Sequence, residues 1–301
     1  MKIKKSLGRK LNRPRVLILG CGDIGMRLLP LLRDRYRVFA VTSQEARIEE
    51  LRSAGAIPIL ADLDQPASLG RLARLASWIV HLAPPRSDGA IDQRTRNLTA
   101  ILPERARFVY VSTSGVYGDC HGALIDETRR VNPQNARAKR RVDAEQTLRR
   151  WARHSRSRLS ILRVPGIYAA DRLPLERLKK GTPALTAEQD VYTNHIHADD
   201  LARIIASAML HGLPGRAYHA VDDSDLRMGE YFDLVADAFA LPRAPRLPLQ
   251  ELKQQVSAMM LSFMSESRRL SNARIKAELG IELRYATVSD ALREMDKPAE
   301  S

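Results

Sequence analysis

An apolar run that breaks into three glycines carries the clearest chemistry. Val16-Leu17-Ile18-Leu19 leads into Gly20-Cys21-Gly22-Asp23-Ile24-Gly25, and apolar residues then resume at helical spacing. Read as strand, tight turn and helix, the stretch gives each glycine a task. Gly20 permits the turn, Gly22 lets the backbone approach a pyrophosphate, and Gly25 lets helix and strand pack closely. The anion would rest on N–H groups of the first helical turn, around Asp23 and Ile24, where the helix dipole also favours negative charge. A bare glycine-rich turn is the plainer alternative, but strand before and helix after are the context that dinucleotide binding requires. Cys21 reads as a small residue filling the turn.

The next strand, 37–41, should show which dinucleotide fits. An acidic residue at its end would hold the ribose hydroxyls of NAD, whereas an Arg nearby suits a 2′-phosphate. Here Thr42, Ser43 and Gln44 come first, and Thr42 with Glu45 has the spacing of a capping box that would occupy the acid. Hydroxyls at Thr42 and Ser43 with a cation at Arg47 favour NADP, with NAD as the second option.

Other residues invite a chemical and a plainer reading. Tyr117 and Tyr168 follow strands at a carboxyl edge, where ligands bind in such sheets, yet both could simply pack loops. Arg163 ends a buried strand and must find a counter-charge, for which an internal salt bridge is the simplest partner. His195 and His197 lack a nearby third ligand, so no metal site is expected, and Asp199 or Asp200 would cap the helix that follows. Between Arg137 and Arg158 nine basic residues face only Asp143 and Glu145. Such a run is more often a solvated face than a nucleic-acid surface, and no recognition motif accompanies it.

Strands at 37–41, 57–61, 78–82, 107–111 and 159–163 alternate with helices at 44–53, 67–75, 92–102 and 135–154. That alternation means βαβ units and a doubly wound parallel sheet. The expected organisation is a basic tail over 1–13, a dinucleotide-binding Rossmann domain over 14–165 and a smaller substrate-facing region over 166–301. The last region reads as helices at 198–210, 228–240 and 247–264 with a short strand at 218–221.

Composition narrows the classes further. The chain of 301 residues carries 49 Lys and Arg against 35 Asp and Glu, a net charge of +14. Lys2, Lys4, Lys5, Arg9, Lys10, Arg13 and Arg15 supply half of that surplus. This tail lacks the apolar stretch of a secretory signal, although a transit peptide stays open, and no run approaches the ~18 apolar residues of a spanning helix. Two cysteines are too few for a disulfide framework and fit a reducing cytoplasm.

Three further stretches carry a resemblance. Val111-Ser112-Thr113-Ser114-Gly115-Val116-Tyr117-Gly118, Leu162-Arg163-Val164-Pro165-Gly166-Ile167-Tyr168 and His195-Ile196-His197-Ala198-Asp199-Asp200-Leu201-Ala202 occur in that order. With the glycine turn, over roughly residues 15 to 295, they make the chain similar to the extended short-chain dehydrogenase/reductases, in their epimerase/dehydratase branch. The resemblance implies that Thr113 hydrogen-bonds a substrate oxygen, that Asp62 and Leu63 meet the adenine, and that Ala83 and Pro84 pass under the nicotinamide ribose. A Tyr acid/base and, four residues later, a Lys that lowers the Tyr pKa and holds the ribose are also implied, but by spacing those positions hold Arg137 and Arg141, which leaves Arg141 as the cofactor-side candidate. Arg does not exchange protons near neutral pH. Arg137 could instead hold a substrate carboxylate or phosphate and polarise an oxyanion beside Thr113, with Tyr117 as a further candidate. The expected function is an atypical NAD(P)-binding oxidoreductase or epimerase/dehydratase-like enzyme acting on a small polar, carboxylated or nucleotide-linked substrate. A catalytically silent dinucleotide-binding sensor is the alternative. The family's dimer would set the arginine-rich helix against its own symmetry mate, so monomer and homodimer both stay open.

Overall fold

The computed structural model describes residues 13–295. Residues 1–12 of the basic tail lie outside the described residues.

A seven-stranded sheet is built from β1 (Arg15–Leu19), β2 (Arg37–Thr42), β3 (Ile57–Leu60), β4 (Trp78–His81), β5 (Arg107–Thr113), β6 (Arg158–Val164) and β7 (Arg216–His219). Its spatial order is β7-β6-β5-β4-β1-β2-β3. β1 runs parallel to both β2 and β4, with Leu17 opposite Phe39 on one side and Ile79 on the other. Val16, Leu17, Ile18 and Leu19 are all fully buried. Such a strand is covered on both faces, which explains an unbroken apolar run instead of alternation. Strand order reverses between β1 and β4, and a crevice opens there at the carboxyl ends.

The chain divides into two compact units. The first comprises residues 13–111, 143–161 and 205–216. It holds β1 to β4, most of β5, and the helices α1 (Asp23–Leu32), α2 (Ile48–Ser53) and α3 (Gln93–Thr99). The second comprises 112–142, 162–204 and 217–295. It therefore takes 112–142 from inside the stretch expected to form the Rossmann domain. The 19-residue helix α4 (Ala136–His154) begins in the second unit and ends in the first. Tyr168, Tyr231, Phe232, Val235, Val288 and Leu292 form one core of the second unit.

Three expected helices changed form. The stretch 67–75 is a 3-10 helix over Pro66–Leu72 that starts on its proline. The helix expected over 44–53 begins as a 3-10 turn, Glu45–Arg47, before α2. The helix expected over 247–264 is two, Leu249–Gln255 and Ala258–Met264, because Val256 is extended and the Ser257 hydroxyl caps the second by accepting from Met260 N–H. Helices at Ala273–Leu279 and Val288–Met295 were not expected. Among the described residues no helix is long and apolar enough to cross a membrane.

Candidate functional site

The glycine turn forms as its sequence implies. Gly20 adopts φ +80, and a Cβ there would lie 2.7 Å from the Ala83 nitrogen. Leu82 and Ala83 both donate to the Leu19 carbonyl, at 2.9 and 3.0 Å, which pulls the ends of β1 and β4 together. A Cβ on Gly25 would sit 2.7 Å from Cys21 Sγ, so this glycine does let α1 pack closely. Burial pushes the Cys21 thiol up to about 11, in keeping with a packing role. Gly22 differs from both. A Cβ there meets nothing within 4 Å, and α1 starts on Gly22 with no side-chain cap. The first turn of a helix has N–H groups without intrahelical partners, and here no side chain caps them.

Gly20, Cys21, Gly22, Thr42, Ser43, Arg47, Asp62, Leu63, Ala83 and Pro84 line one pocket of about 260 Å³ in the first unit. Asp23, Ile24 and Gly25 form the first turn of α1 beside it. Arg94 also lines this pocket and was missed. It pairs with Asp64 at 2.7 Å and donates to the Pro84 carbonyl at 2.9 Å, so it ties the loop after β3 to the loop after β4. Asp62 Oδ1 accepts from Asp64 N–H at 2.9 Å, which makes it a turn-former in the same loop.

The capping box at Thr42 and Glu45 does not form. β2 runs through Thr42, whose hydroxyl accepts from Gln44 N–H at 3.1 Å, and Gln44 precedes the 3-10 turn with no side-chain cap. Arg47 is engaged as well. It grips both oxygens of Glu50, at 2.8 and 3.1 Å, and donates to the Cys21 carbonyl at 2.5 Å.

A second pocket, of about 400 Å³, lies within the second unit. Thr113, Ser114, Arg137 and Arg141 line it with Tyr192, Asn194, Glu266 and Arg268. Thr113 ends β5, and its hydroxyl accepts from Gly115 N–H at 3.3 Å, so its own proton can be donated to a ligand. Arg137 and Arg141 lie one helical turn apart on α4, which brings them to the same face. Asn135 fixes the start of that helix by accepting from Ala138 N–H at 2.9 Å. Glu266 and Arg268 lie more than 120 residues beyond Arg141, too far along the chain for local spacing to connect them.

Tyr117 is not in this pocket. It is 1 % exposed, with its oxygen 2.6 Å from His219 Nε2 and 2.7 Å from Arg163 Nη1. Burial, the main cause, pushes His219 down to about 3, so its ring is neutral. Its Nδ1 lies 3.0 Å from the Ser271 carbonyl, which can only accept. Nδ1 therefore carries the proton and Nε2 is an acceptor. It follows that Tyr117 donates to His219 and accepts from Arg163, whose guanidinium also lies 4.9 Å from the phenol ring centre. Tyr168 likewise packs, against His195 and His197.

The histidines serve the fold. His195 stacks on Tyr231 with ring centres 4.1 Å apart, and burial pushes it down to about 3. His197 Nδ1, not Asp199 or Asp200, caps the helix Ala198–His211 by accepting from Asp199 N–H at 3.2 Å. Asp200 is drawn inward instead, where its two oxygens accept from Arg284 and Tyr285 N–H groups, each at 2.9 Å. Among the described residues no three His, Cys, Asp or Glu come together as a metal site.

Asp222 donates its N–H to the His195 carbonyl at 2.8 Å, and burial pushes its carboxyl up to about 7 from 3.8. Between those values the folded state holds a proton that the unfolded state has lost, so Asp222 costs stability increasingly as pH rises and the cost levels off above about 7. Asp222→Asn should accordingly gain thermal stability over the parent as pH is raised from 4 toward 7, and the gain should then be constant. Melting curves across that range check this; a gain independent of pH would contradict it.

The epimerase family model, described as the NAD dependent epimerase/dehydratase family, matches residues 16–220. No curated protein sequence matches the chain. Among solved structures, a functionally unknown conserved protein from Silicibacter pomeroyi is 27% identical, with TM-score 0.76 over 96% of this chain and 100% of that one. UDP-glucose 4-epimerase from Thermotoga maritima, solved with UDP-glucose, is 17% identical, with TM-score 0.74 over 94% and 97%. A dTDP-glucose 4,6-dehydratase double mutant from Streptomyces venezuelae, solved with NAD and DAU bound, is 19% identical, with TM-score 0.73 over 93% and 96%. The last two likenesses concern the fold. With the family model spanning well over half of the sequence, the chain belongs to the NAD-dependent epimerase/dehydratase family.

Proposed function

We propose that the protein is a dinucleotide-dependent, epimerase/dehydratase-like oxidoreductase acting on a small polar substrate, carboxylated or nucleotide-linked. The observation that carries this reading is the open space at Gly22 before an uncapped helix N-terminus, which fits a dinucleotide pyrophosphate. Gly20, Gly22, Thr42, Ser43, Asp62, Leu63, Ala83 and Pro84 would hold the group. When bound, a nicotinamide supplies or removes a hydride. The chain's own part is to bind and polarise the substrate. The Thr113 hydroxyl donates to a substrate oxygen, and Arg137 stabilises negative charge there without exchanging a proton.

The dinucleotide is NAD in this reading. Arg47, the cation that would favour a 2′-phosphate, is already paired with Glu50, and the Streptomyces structure above carries NAD. Glu50→Gln would release Arg47 and raise NADPH affinity relative to NADH by about two- to fivefold, modest because the pair is partly exposed. Titration of both nucleotides against parent and variant checks this. A parent that binds NADPH more tightly than NADH would restore the NADP expectation.

Arg137 and Arg141 at the positions of the family's Tyr and Lys favour a second reading, a catalytically silent sensor. The two part on one experiment: dinucleotide binding by the full chain, followed by nicotinamide absorbance and product analysis across aldehydes, ketones, hydroxy acids and nucleotide sugars. Binding with hydride exchange supports the enzyme. Binding with none across the panel supports the sensor.

A further inference from the structure

We propose that the second pocket is a site for a small, multiply charged oxyanion, a dicarboxylate or a phosphate ester, gripped by Arg137, Arg141 and Arg268, with Glu266 limiting how much negative charge it accepts. This deepens the substrate reading above and rests on it.

Charge is the first ground. The lining holds three guanidiniums and one carboxylate. Desolvation draws the Arg137 guanidinium below its ordinary value; Glu266 opposes this, while Arg141, Arg268 and Arg140 draw it further down. Cations gathered around one pocket repel one another, and a bound anion relieves them. Arg is also the residue whose planar fork holds a carboxylate or phosphate through two parallel hydrogen bonds.

Rigidity is the second ground. Arg268 and Glu266 side chains are only 12% and 9% exposed and pair at 2.9 Å. Arg268 also donates to the Gly118 carbonyl at 2.7 Å, and Asn135 donates to Glu266 at 3.1 Å. The Asn194 amide donates to the Arg268 carbonyl and accepts from Leu270 N–H, both at 2.9 Å. Asp119 accepts from Ser267 N–H at 2.8 Å between them. The segment that delivers Arg268 is therefore fixed before any ligand arrives, which lowers the ordering cost of binding. Glu266 already offers Arg268 one carboxylate. It shields part of the positive charge, so a singly charged ligand gains little and a dianion gains most.

The test uses the full chain without dinucleotide, at constant ionic strength. Malonate, inorganic phosphate and acetate are titrated by calorimetry and by thermal shift. Malonate or phosphate should bind and acetate should not; dominance of malonate assigns a dicarboxylate, and dominance of phosphate assigns a phosphate ester. Arg137→Gln and Arg268→Gln should each weaken binding about tenfold or more, the scale of a lost charge-assisted contact. Glu266→Gln should tighten it severalfold. Lys139→Gln, on the exposed side of the same helix, should change nothing. Arg268 is largely buried and its variant could unfold, so Arg137→Gln is the deciding substitution. Equal responses to acetate and the dianions, or unchanged binding in Arg137→Gln, would overturn the proposal. Dinucleotide affinity is measured separately: its loss alone would remove the functional reading, while absent anion binding with intact dinucleotide binding would remove only this inference.

Discussion

Gly22→Val is expected to abolish dinucleotide binding while leaving the fold intact. The backbone at Gly22 has φ −83 and ψ −152, an extended conformation open to a branched residue, and a Cβ there meets no protein atom within 4 Å. The valine would fill only the space the pyrophosphate needs, so affinity should fall by about a hundredfold or more while the unliganded melting temperature stays level. At about one hundred times the dissociation constant a ligand stabilises its protein by roughly 2.7 kcal/mol, a clear rise in melting temperature for the parent. The variant should show roughly 0.4 kcal/mol or less at the same concentration. Gly20→Ala gives the contrasting result, because φ +80 and the nearby Ala83 nitrogen make it a folding defect. Equal stabilisation of parent and Gly22→Val by NADH would show that the phosphate lies elsewhere.

The two glycine outcomes mark what local sequence can convey. A strand buried on both faces must be apolar throughout, and a turn with positive φ beside a close backbone contact must be glycine, so β1, the turn and α1 were legible from the residues themselves. The strands β2, β4, β5 and β6 followed for the same reason, and β3, a half-exposed edge strand, from its apolar run alone, each to within a residue or two at its ends. Arg47 lines the glycine-turn pocket, but its pairing with Glu50 three residues on is a choice among rotamers that spacing does not determine.

Longer-range arrangement was less legible. Thr113 and Arg137 were placed by resemblance on the substrate side and Arg141 on the cofactor side; Arg141 does not line the glycine-turn pocket, and all three line the second one. Glu266 and Arg268, which complete its charge, reach it through a strand at Arg269–Leu270 pairing with Leu124–Ile125. Two-residue strands leave no periodic pattern to read, and the Glu and Arg look like any charged pair on a surface. Arg94 was missed for a related reason: its partner Asp64 lies thirty residues earlier in a loop. His195 stacks on Tyr231, and the cap expected of Asp199 or Asp200 went to His197 because Asp200 is drawn inward to the backbone of residues 284 and 285.

Tyr117 shows the limit most sharply, and its substitution carries the second large effect. A tyrosine after β5 looks like a candidate proton donor in sequence, but its hydroxyl is the shared atom of a buried three-part network: Arg163 donates to it, and it donates to a neutral His219. Tyr117→Phe keeps the ring and its packing while removing that oxygen. An Arg163 nitrogen and His219 Nε2 then each lose a hydrogen-bond partner inside the core, at about 1–3 kcal/mol apiece and more for the charged one. The variant should lose roughly 2–5 kcal/mol in urea unfolding, with an unchanged slope against denaturant if the unfolded state is unaffected. Because Tyr117 does not line the arginine pocket, malonate or phosphate affinity of the folded variant should equal the parent's under conditions where both are native. Unchanged stability with impaired anion binding would return Tyr117 to the site; the reverse pattern fixes its role as a buried hinge between Arg163 and His219.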